Sequence, residues 1–413
     1  MRVLVIAPQP YFQERGTPIA VRLLVRALGE RGDEVDLLVY HEGSDVATPG
    51  VTVHRIRPRP TVRGIRPGFS LKKVYCDLFL IPRIDRMLRD GQYDLVHATE
   101  EGVFLAHWLC RRHRIPFVYD MDSSMSHQIL DRHGWLAPLR PWLEGAEARA
   151  MRAAVAVVPV CEALADVARS QGVSDPYVLK DVSLVEETAT GGTSGVGTGE
   201  PVDIRALPGW QDRAIAMYIG NLEPYQGIDL LLESFRHVLR QLPAAGLVVV
   251  GGVPDDVEKY RRKSRALEIE GAVQFLGQRP VAHVGAYMRQ ADLLVSPRIH
   301  GQNTPMKVYT YLDSGVAVLA TDLPTHTQVM NSTLAGLAPA EPAPFAREMI
   351  ALLEDPSRRR ELAGRARELI RREHSYGAFR ERVHALYDRL ENLPRRKSPA
   401  APPSLTESRL PRR

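Results

Sequence analysis

Cysteine is almost missing from this chain. Cys76, Cys110 and Cys161 are the only three among 413 residues. None forms a CxxC pair and their number is odd, which argues against a disulfide framework or a zinc ribbon; a reducing compartment is expected. Long apolar runs are missing too. A membrane-spanning helix needs roughly 18 such residues, and the longest run, Ala153 to Cys161, is about half that. Met1–Ala7 is too short for a secretion signal and has no cleavage site behind it, so it is expected to be a first buried strand. A sustained excess of one charge is also lacking. The net charge is +5, and the segment from Pro394 to Arg413, with six basic residues and one acidic, carries that excess. A nucleic-acid binder would show a broad basic face or a recognition module; neither is present, and no nucleic-acid partner is expected.

What remains is an ordinary globular composition, 44% hydrophobic and 25% charged, which excludes wholesale disorder and coiled coil. The length suggests two or three domains. Short β-rich runs alternate with helical stretches: strands at Arg2–Ala7, Glu34–Tyr40, Leu95–Ala98, Phe117–Met121 and Val155–Val160. The first helix spans Thr17–Arg31, with Thr17 as N-cap, Pro18 behind it and Gly32 past the end. Glu186–Pro201 is Gly/Thr/Ser-rich without apolar period and reads as a linker. The alternation then restarts with strands at Ala214–Ile219, Leu247–Gly251, Val273–Leu276, Leu293–Ser296 and Ala317–Ala320, and a helix near Ile228–Gln241. This predicts an α/β protein of two doubly wound, Rossmann-like parallel-sheet domains. The expected boundaries are 1–185, a linker at 186–212, 213–372, a C-terminal helix at 373–392, and a disordered basic tail at 393–413.

Ligands of such folds bind at the carboxyl ends of the strands. Three strand-to-helix loops therefore stand out. Gly16-Thr17-Pro18 opens the first helix, where free amides can hold an anion or a sugar oxygen, or simply form a capped turn. Gly220-Asn221-Leu222-Glu223-Pro224-Tyr225-Gln226-Gly227 joins a strand to the helix at Ile228. The densest segment runs from Ser296 to Gly315. Arg298, His300, Gly301 and Asn303 occupy its loop, Thr304 is the expected N-cap of a short helix, Pro305 its first residue, and Met306 and Lys307 follow. Two cations at a helix N-terminus suit a diphosphate. Lys307 in the first turn opposes the dipole at a cost of a few tenths of a kcal/mol, a local conflict typical of a working site.

These motifs, in this order, resemble the retaining glycosyltransferases of family 4, which have the GT-B fold. The resemblance rests on MRVLVIAP, ERGDEVDLLV, YDLVHATEEG, PFVYDMDSS and VVPVCEALADVA in the amino half. In the carboxyl half it rests on GNLEPYQGIDLL, the Ser296–Gly315 segment and ATDLPTHTQVM. It covers about residues 1–390. It implies transfer of a sugar from a nucleotide-diphosphate donor to a glycan, lipid-linked or small-molecule hydroxyl, with retention of configuration. No metal or other cofactor is implied, and the last helix is expected to cross back onto the first domain. Donor binding is assigned to Gly220, Asn221, Tyr225, Gln226, Gly227, Arg298, Gly301, Asn303, Thr304, Pro305, Met306, Lys307 and Thr310. Arg298 and Lys307, with Asp122, are the expected catalytic residues. The acceptor side is assigned to Gly16, Thr17, His97, Glu100, Asp120 and Asp122, with Glu101 beside them.

The chain departs from the family pattern at five polar positions. Gln302 and Thr310 stand where two Glu residues are usual, Asn221 and Gln226 where Arg and Lys are, and Asp122 where the first domain has a His. A catalytically inactive GT-B scaffold that binds a glycan or protein is therefore an alternative, and a nucleotide-sugar epimerase a weaker one. Asp120-Met-Asp122 also resembles a metal-binding DxD. His326 is expected to face the cleft. Arg55–Lys73 holds seven basic residues and no acidic one, interleaved with Ile56, Val62, Ile65, Phe69 and Leu71. With Trp135, Leu136, Leu139, Trp142 and Leu143 it suggests contact with an anionic membrane surface. A cytoplasmic enzyme, peripheral at the inner face of a bacterial cell membrane and acting in exopolysaccharide-type glycan biosynthesis, is the resulting expectation.

Overall fold

The computed structural model describes residues 1–13, 16–44, 46–65, 70–126, 138–185, 200–301 and 303–392. Residues 186–199 of the linker expected at 186–212, and the tail at 393–413, lie outside the described residues; Ile204 and Trp210, in the rest of that linker, are buried in the core of the second half.

The first half contains β1 (Arg2–Ala7), α1 (Gly16–Arg31), β2 (Glu34–Val39), β3 (Val51–Arg55), α2 (Leu71–Asp90), β4 (Leu95–Thr99), α3 (Gly102–His113), β5 (Phe117–Met121), α4 (Arg140–Ala153), β6 (Ala156–Pro159) and α5 (Glu162–Ser170). Its strands form one parallel sheet in the order β3-β2-β1-β4-β5-β6. A strand covered on both faces reads as a continuous apolar run, and RVLVIA shows why. Leu4 and Ile6 face the core under α2 and α3. Val3, Val5 and Ala7 alternate onto the opposite face.

The second half repeats this plan. It contains β7 (Ala214–Ile219), α6 (Ile228–Gln241), β8 (Ala245–Val250), α7 (Pro254–Ala266), β9 (Val273–Gly277), α8 (Val284–Met288), β10 (Leu293–Ser296), α9 (Met306–Asp313), β11 (Val318–Thr321), α10 (Pro324–Thr327), β12 (Gly336–Ala338), α11 (Pro342–Glu354), α12 (Pro356–Glu373) and α13 (Tyr376–Glu391). Its sheet is parallel in the order β12-β11-β10-β7-β8-β9. The strand order reverses between β1 and β4 in one sheet and between β7 and β10 in the other. Those switch points open a crevice at the carboxyl ends of the strands.

Several local readings need correction. β3 and β12 carry too little apolar pattern to be seen in the sequence. α1 starts at Gly16, so Thr17 lies inside its first turn. α9 starts at Met306, and Pro305, with extended backbone, occupies the cap position expected for Thr304. A proline leaves its neighbour Thr304 outside the helical region.

Two chain crossings join the halves side by side. The Ser183 amide donates to the His374 carbonyl at 2.9 Å. The Ser183 hydroxyl donates to Asp313 at the end of α9 at 2.7 Å, and the His374 ring packs against Tyr309 at 4.6 Å. After α12 the chain returns to the first half. Tyr376, Phe379, Val383, Leu386, Tyr387 and Leu390 of α13 share a core with Val3, Val5 and the inner face of α1. Arg31 clamps the far end through Asp388, and His384 donates to the Ala27 carbonyl at 2.8 Å.

Candidate active site

The cationic wall is built by the loops after β7 and β10. Gly227 ends the first loop with φ +74°, and a Cβ there would stand 1.9 Å from the Pro297 carbonyl oxygen. Only glycine lets these two loops approach so closely. The Ile299 amide then donates to the Tyr225 carbonyl at 3.0 Å. Arg298 is 7% exposed. Its Nε donates to the His300 carbonyl at 2.6 Å and its Nη2 to Asn303 Oδ1 at 3.1 Å. The guanidinium lies over the Tyr225 ring at 5.2 Å. A Cβ on Gly301, whose φ is +125°, would collide with that guanidinium.

Lys307, in the first turn of α9, donates to Tyr218 Oη at 2.9 Å and Gln226 Oε1 at 2.8 Å. Its ammonium also lies 4.1 Å from the Tyr218 ring centre and beside Gly220. Among the described residues neither cation has a carboxylate partner. Burial, and then the charge of Arg298, hold the Lys307 ammonium well below its ordinary range. Burial likewise lowers Arg298. Two half-desolvated cations without a counter-ion are costly unless an anion arrives. Asn221 is exposed at the rim, and the Tyr218 hydroxyl donates to its carbonyl at 2.6 Å.

The opposing wall is acidic. Glu100 and Glu101 follow β4, Asp120 and Asp122 end β5, and Asp181 enters from the crossing segment. Thr17 Oγ1, beside Gly16 at the start of α1, lies 3.5 Å from Glu100 Oε1 and also bonds Asp122. Burial, and then the neighbouring Glu101, push Glu100 up to about 7. Burial and Asp120 push Asp181 up to about 7. Burial, with Asp120, Glu100 and Asp181, raises Asp122 well above the carboxylate range. Each shift favours the protonated form of its carboxyl. Lys73, by contrast, pairs with Glu101. The loop carrying Asp122 is pinned by Glu147, a buried carboxylate of α4. Glu147 accepts from the Met125 amide at 2.9 Å and from Tyr119 Oη, Ser124 Oγ and the Ser126 amide, each at 3.1 Å. The two walls touch where Asn303 Nδ2 donates to the Asp122 carbonyl at 3.4 Å.

The structure thus brings Gly220, Asn221, Tyr225, Gln226, Gly227, Arg298, Gly301, Asn303 and Lys307 together, with Thr304, Pro305 and Met306 leading into α9. Thr310 faces the crossing segment instead, and its hydroxyl accepts the Leu184 amide at 3.2 Å. His326 does not line the cleft. It is fully buried, 2.8 Å from Ser296 Oγ, and burial pushes its imidazole down to about 3. Gln302 lies outside the described residues. Among the described residues no three His, Cys, Asp or Glu side chains form a group that could hold a metal ion, so Asp120-Met-Asp122 finds no third ligand there. The basic segment is less of a surface patch than its composition suggests. Ile56 and Ile65 are core residues, and Lys73 is buried. Phe69, Trp135 and Leu136 lie outside the described residues. Tyr218, Glu147, Asp181 and Tyr387 had no local signal.

Two doubly wound sheets with facing switch points, a cationic wall on the second and an acidic wall on the first, are the architecture of a GT-B glycosyltransferase. Residues 15–179 match the family profile described as "Glycosyl transferase 4-like domain", and residues 203–369 match "Glycosyl transferases group 1". The chain belongs to the family-4-like GT-B glycosyltransferases. A phosphatidyl-myo-inositol mannosyltransferase of Mycobacterium leprae is 26% identical over 376 residues, 90% of this chain and 92% of that one. Two solved structures share the fold. Sucrose-phosphate synthase from Thermosynechococcus elongatus superposes with a TM-score of 0.73 at 18% identity, covering 94% of this chain and 99% of that one. Anabaena HepE in complex with UDP-glucose gives 0.70 at 15% identity, covering 94% and 100%. No helix among the described residues is long and apolar enough to cross a membrane.

Proposed function

We propose that the protein transfers a glycosyl group from a nucleotide-diphosphate sugar to a hydroxyl of a lipid-linked or glycan acceptor, with retention of configuration and without a metal. The carrying observation is the pair Arg298 and Lys307, two cations held by neutral partners at the switch point of the second sheet. They would take the donor diphosphate and stabilise the charge that develops on it as the sugar leaves. The bond from the anomeric carbon to phosphate oxygen breaks, the bond to the acceptor oxygen forms on the same face, and the leaving phosphate oxygen takes the acceptor proton. No protein base is then needed. Asp122 and Glu100, whose carboxyls are shifted toward the protonated form, would orient the acceptor by hydrogen bonds together with Thr17. HepE, whose structure holds UDP-glucose, supports a nucleotide-sugar donor. The mycobacterial relative supports a mannosyl donor and a lipid-borne polyol.

A lipid-borne acceptor requires approach to a bilayer. The exposed stripe Leu71, Val74 and Leu78 on α2, with Trp108 on α3 and Leu139 and Trp142 near α4, supplies an apolar face, and Lys72 and Arg140 supply charge. It would hold the protein peripherally at the inner face of the membrane, and flotation with anionic vesicles checks this.

The test of the main reading is titration calorimetry with UDP, GDP, ADP and dTDP, with and without EDTA. Selective binding of one diphosphate, unchanged by EDTA, is expected. Binding of none would favour the inactive scaffold.

A further inference from the structure

The loop that carries Arg298 is fastened by a chain of buried side chains from β11 and α10. Among the described residues, both hydrogen bonds of the guanidinium stay within its own loop, to the His300 carbonyl and to Asn303 Oδ1. Its place is therefore set by whatever holds that loop. The Tyr225 carbonyl takes the Ile299 amide. The Thr321 hydroxyl donates to the Arg298 carbonyl at 2.5 Å, and the Thr325 hydroxyl donates to the Asn303 carbonyl at 2.7 Å. His326 extends the chain. Ser296 Oγ lies 2.8 Å from its Nε2, and Thr321 Oγ1 and the Thr321 carbonyl oxygen each lie 3.0 Å from its Nδ1. Ser296, Thr321, Thr325 and His326 are all fully buried. His97, also fully buried, belongs to a separate contact, with Tyr387 of α13 at 2.9 Å.

Each proton in the chain has one direction. A carbonyl only accepts, so the single Thr321 hydroxyl proton goes to Arg298. Nδ1 of His326 must then carry a proton and give it to Thr321, as its contact with the Thr321 carbonyl also requires. Burial keeps the imidazole neutral at pH 7, so Nε2 is an acceptor and the Ser296 hydroxyl its donor. The chain runs one way, from Ser296 through His326 and Thr321 to the backbone of Arg298.

We propose that Thr321, Thr325 and His326 are positioning residues for the donor diphosphate: they hold the Arg298 and Asn303 ends of the loop and so fix the Arg298 guanidinium where the diphosphate must meet it. This rests on the reading of Arg298 as a diphosphate ligand. A guanidinium whose loop can drift has to be ordered again when the anion arrives, and that cost appears as lost affinity. Loss of the Thr321 hydroxyl leaves the buried Arg298 carbonyl without this donor, and loss of the Thr325 hydroxyl does the same at Asn303, whose side chain receives the guanidinium.

The first measurement needs no ligand. In the two-bond 1H–15N spectrum of the histidine-labelled full chain, with His326 assigned from His326→Gln, the Nδ1–H tautomer is expected. An Nε2–H tautomer breaks the chain and overturns the proposal. The second is a double-mutant cycle on affinity for whichever of UDP, GDP, ADP and dTDP binds the parent. Thr321→Val and Thr325→Val should each weaken Kd about 3- to 12-fold, the scale of one net hydrogen bond, and Thr321→Ser should restore it. In an Arg298→Ala background Thr321→Val should change Kd by less than about twofold, because the group it positions is gone. A Thr321→Val that lowers Tm but leaves Kd unchanged, or that weakens binding equally with and without Arg298, would mean that the hydroxyl only packs the fold, and would overturn the proposal. The reading beneath it fails separately. If none of the four nucleotides binds, or if Arg298→Ala binds like the parent, Arg298 is not the diphosphate ligand, whatever the His326 tautomer.

Discussion

Replacing Lys307 with methionine should weaken the ligand while sparing the fold. The ammonium donates to Tyr218 and Gln226, each contact worth about 1 kcal/mol net. Against this stand its desolvation and repulsion by Arg298, which methionine removes while keeping the stem's packing. These effects oppose one another, so stability without ligand should change by about 1 kcal/mol or less. Binding is different, because only the ammonium can meet the diphosphate. Loss of a charge-assisted contact costs ~1.5–3 kcal/mol, a roughly 10- to 150-fold weaker Kd. A nucleoside diphosphate at a hundred times the parent Kd adds about 2.7 kcal/mol of stability to the parent. The same concentration should add only about 1.4 to 0.3 kcal/mol to Lys307→Met. Urea unfolding at fixed ligand, with and without the nucleotide selected by calorimetry, reads both quantities. A variant that loses several kcal/mol when empty but keeps the full ligand increment would refute the reasoning. It would make Lys307 a structural residue.

Three further outcomes are expected. Gly227→Ala puts a methyl group 1.9 Å from the Pro297 carbonyl oxygen at a φ of +74°; a loss of ~2–4 kcal/mol in urea unfolding is expected, with nucleotide binding falling in parallel. Glu147→Ala strands the buried Met125 and Ser126 amides and the Tyr119 hydroxyl and should cost ~3–5 kcal/mol, with faster amide exchange at Met125 and Ser126 as the local signature. Acidification should destabilise the protein through His326: its imidazole is held at about 3 in the folded chain against about 6.5 unfolded. The unfolded state therefore binds the extra proton between those values, and stability should fall by up to about 1.4 kcal/mol per pH unit as pH drops below 6.5. His326→Gln should flatten that slope between pH 6 and 4.

The strands legible in the sequence are those buried on both faces, because AIAMYI and LLVS admit little else. Two of the four edge strands, β3 and β12, were not legible. Val51–Arg55 ends in His54 and Arg55, and Gly336–Ala338 is three residues long, so neither carries enough period to register. The loops of the cationic wall were legible because glycines, a proline and cations fall within short spans after a strand. Gln226 and Thr310 show the limit of that reading. Gln226 turns inward to hold Lys307, and Thr310 turns to the crossing segment. Asp181 and Tyr387 could not be found locally. They reach the wall by chain crossings, Tyr387 from 290 residues beyond His97. Lys73 misled in the opposite sense, since its charge suggested solvent while Glu101 had drawn it inside.

The return of α13 means that the first sheet is not finished when its own strands have been made. During synthesis the outer face of β1 and the inner face of α1 stay bare until the ribosome has produced the entire second half. A chaperone or the nascent chain itself must shield Val3, Val5 and Leu24 through that interval. The same geometry governs recombination. A crossover that exchanges only the carboxyl half with a relative would import a foreign Tyr376–Glu391 into a native groove. A chimera that respects the packing needs two junctions, one on each crossing strand near Ser183 and His374, so that the last helix travels with the first residues of the chain.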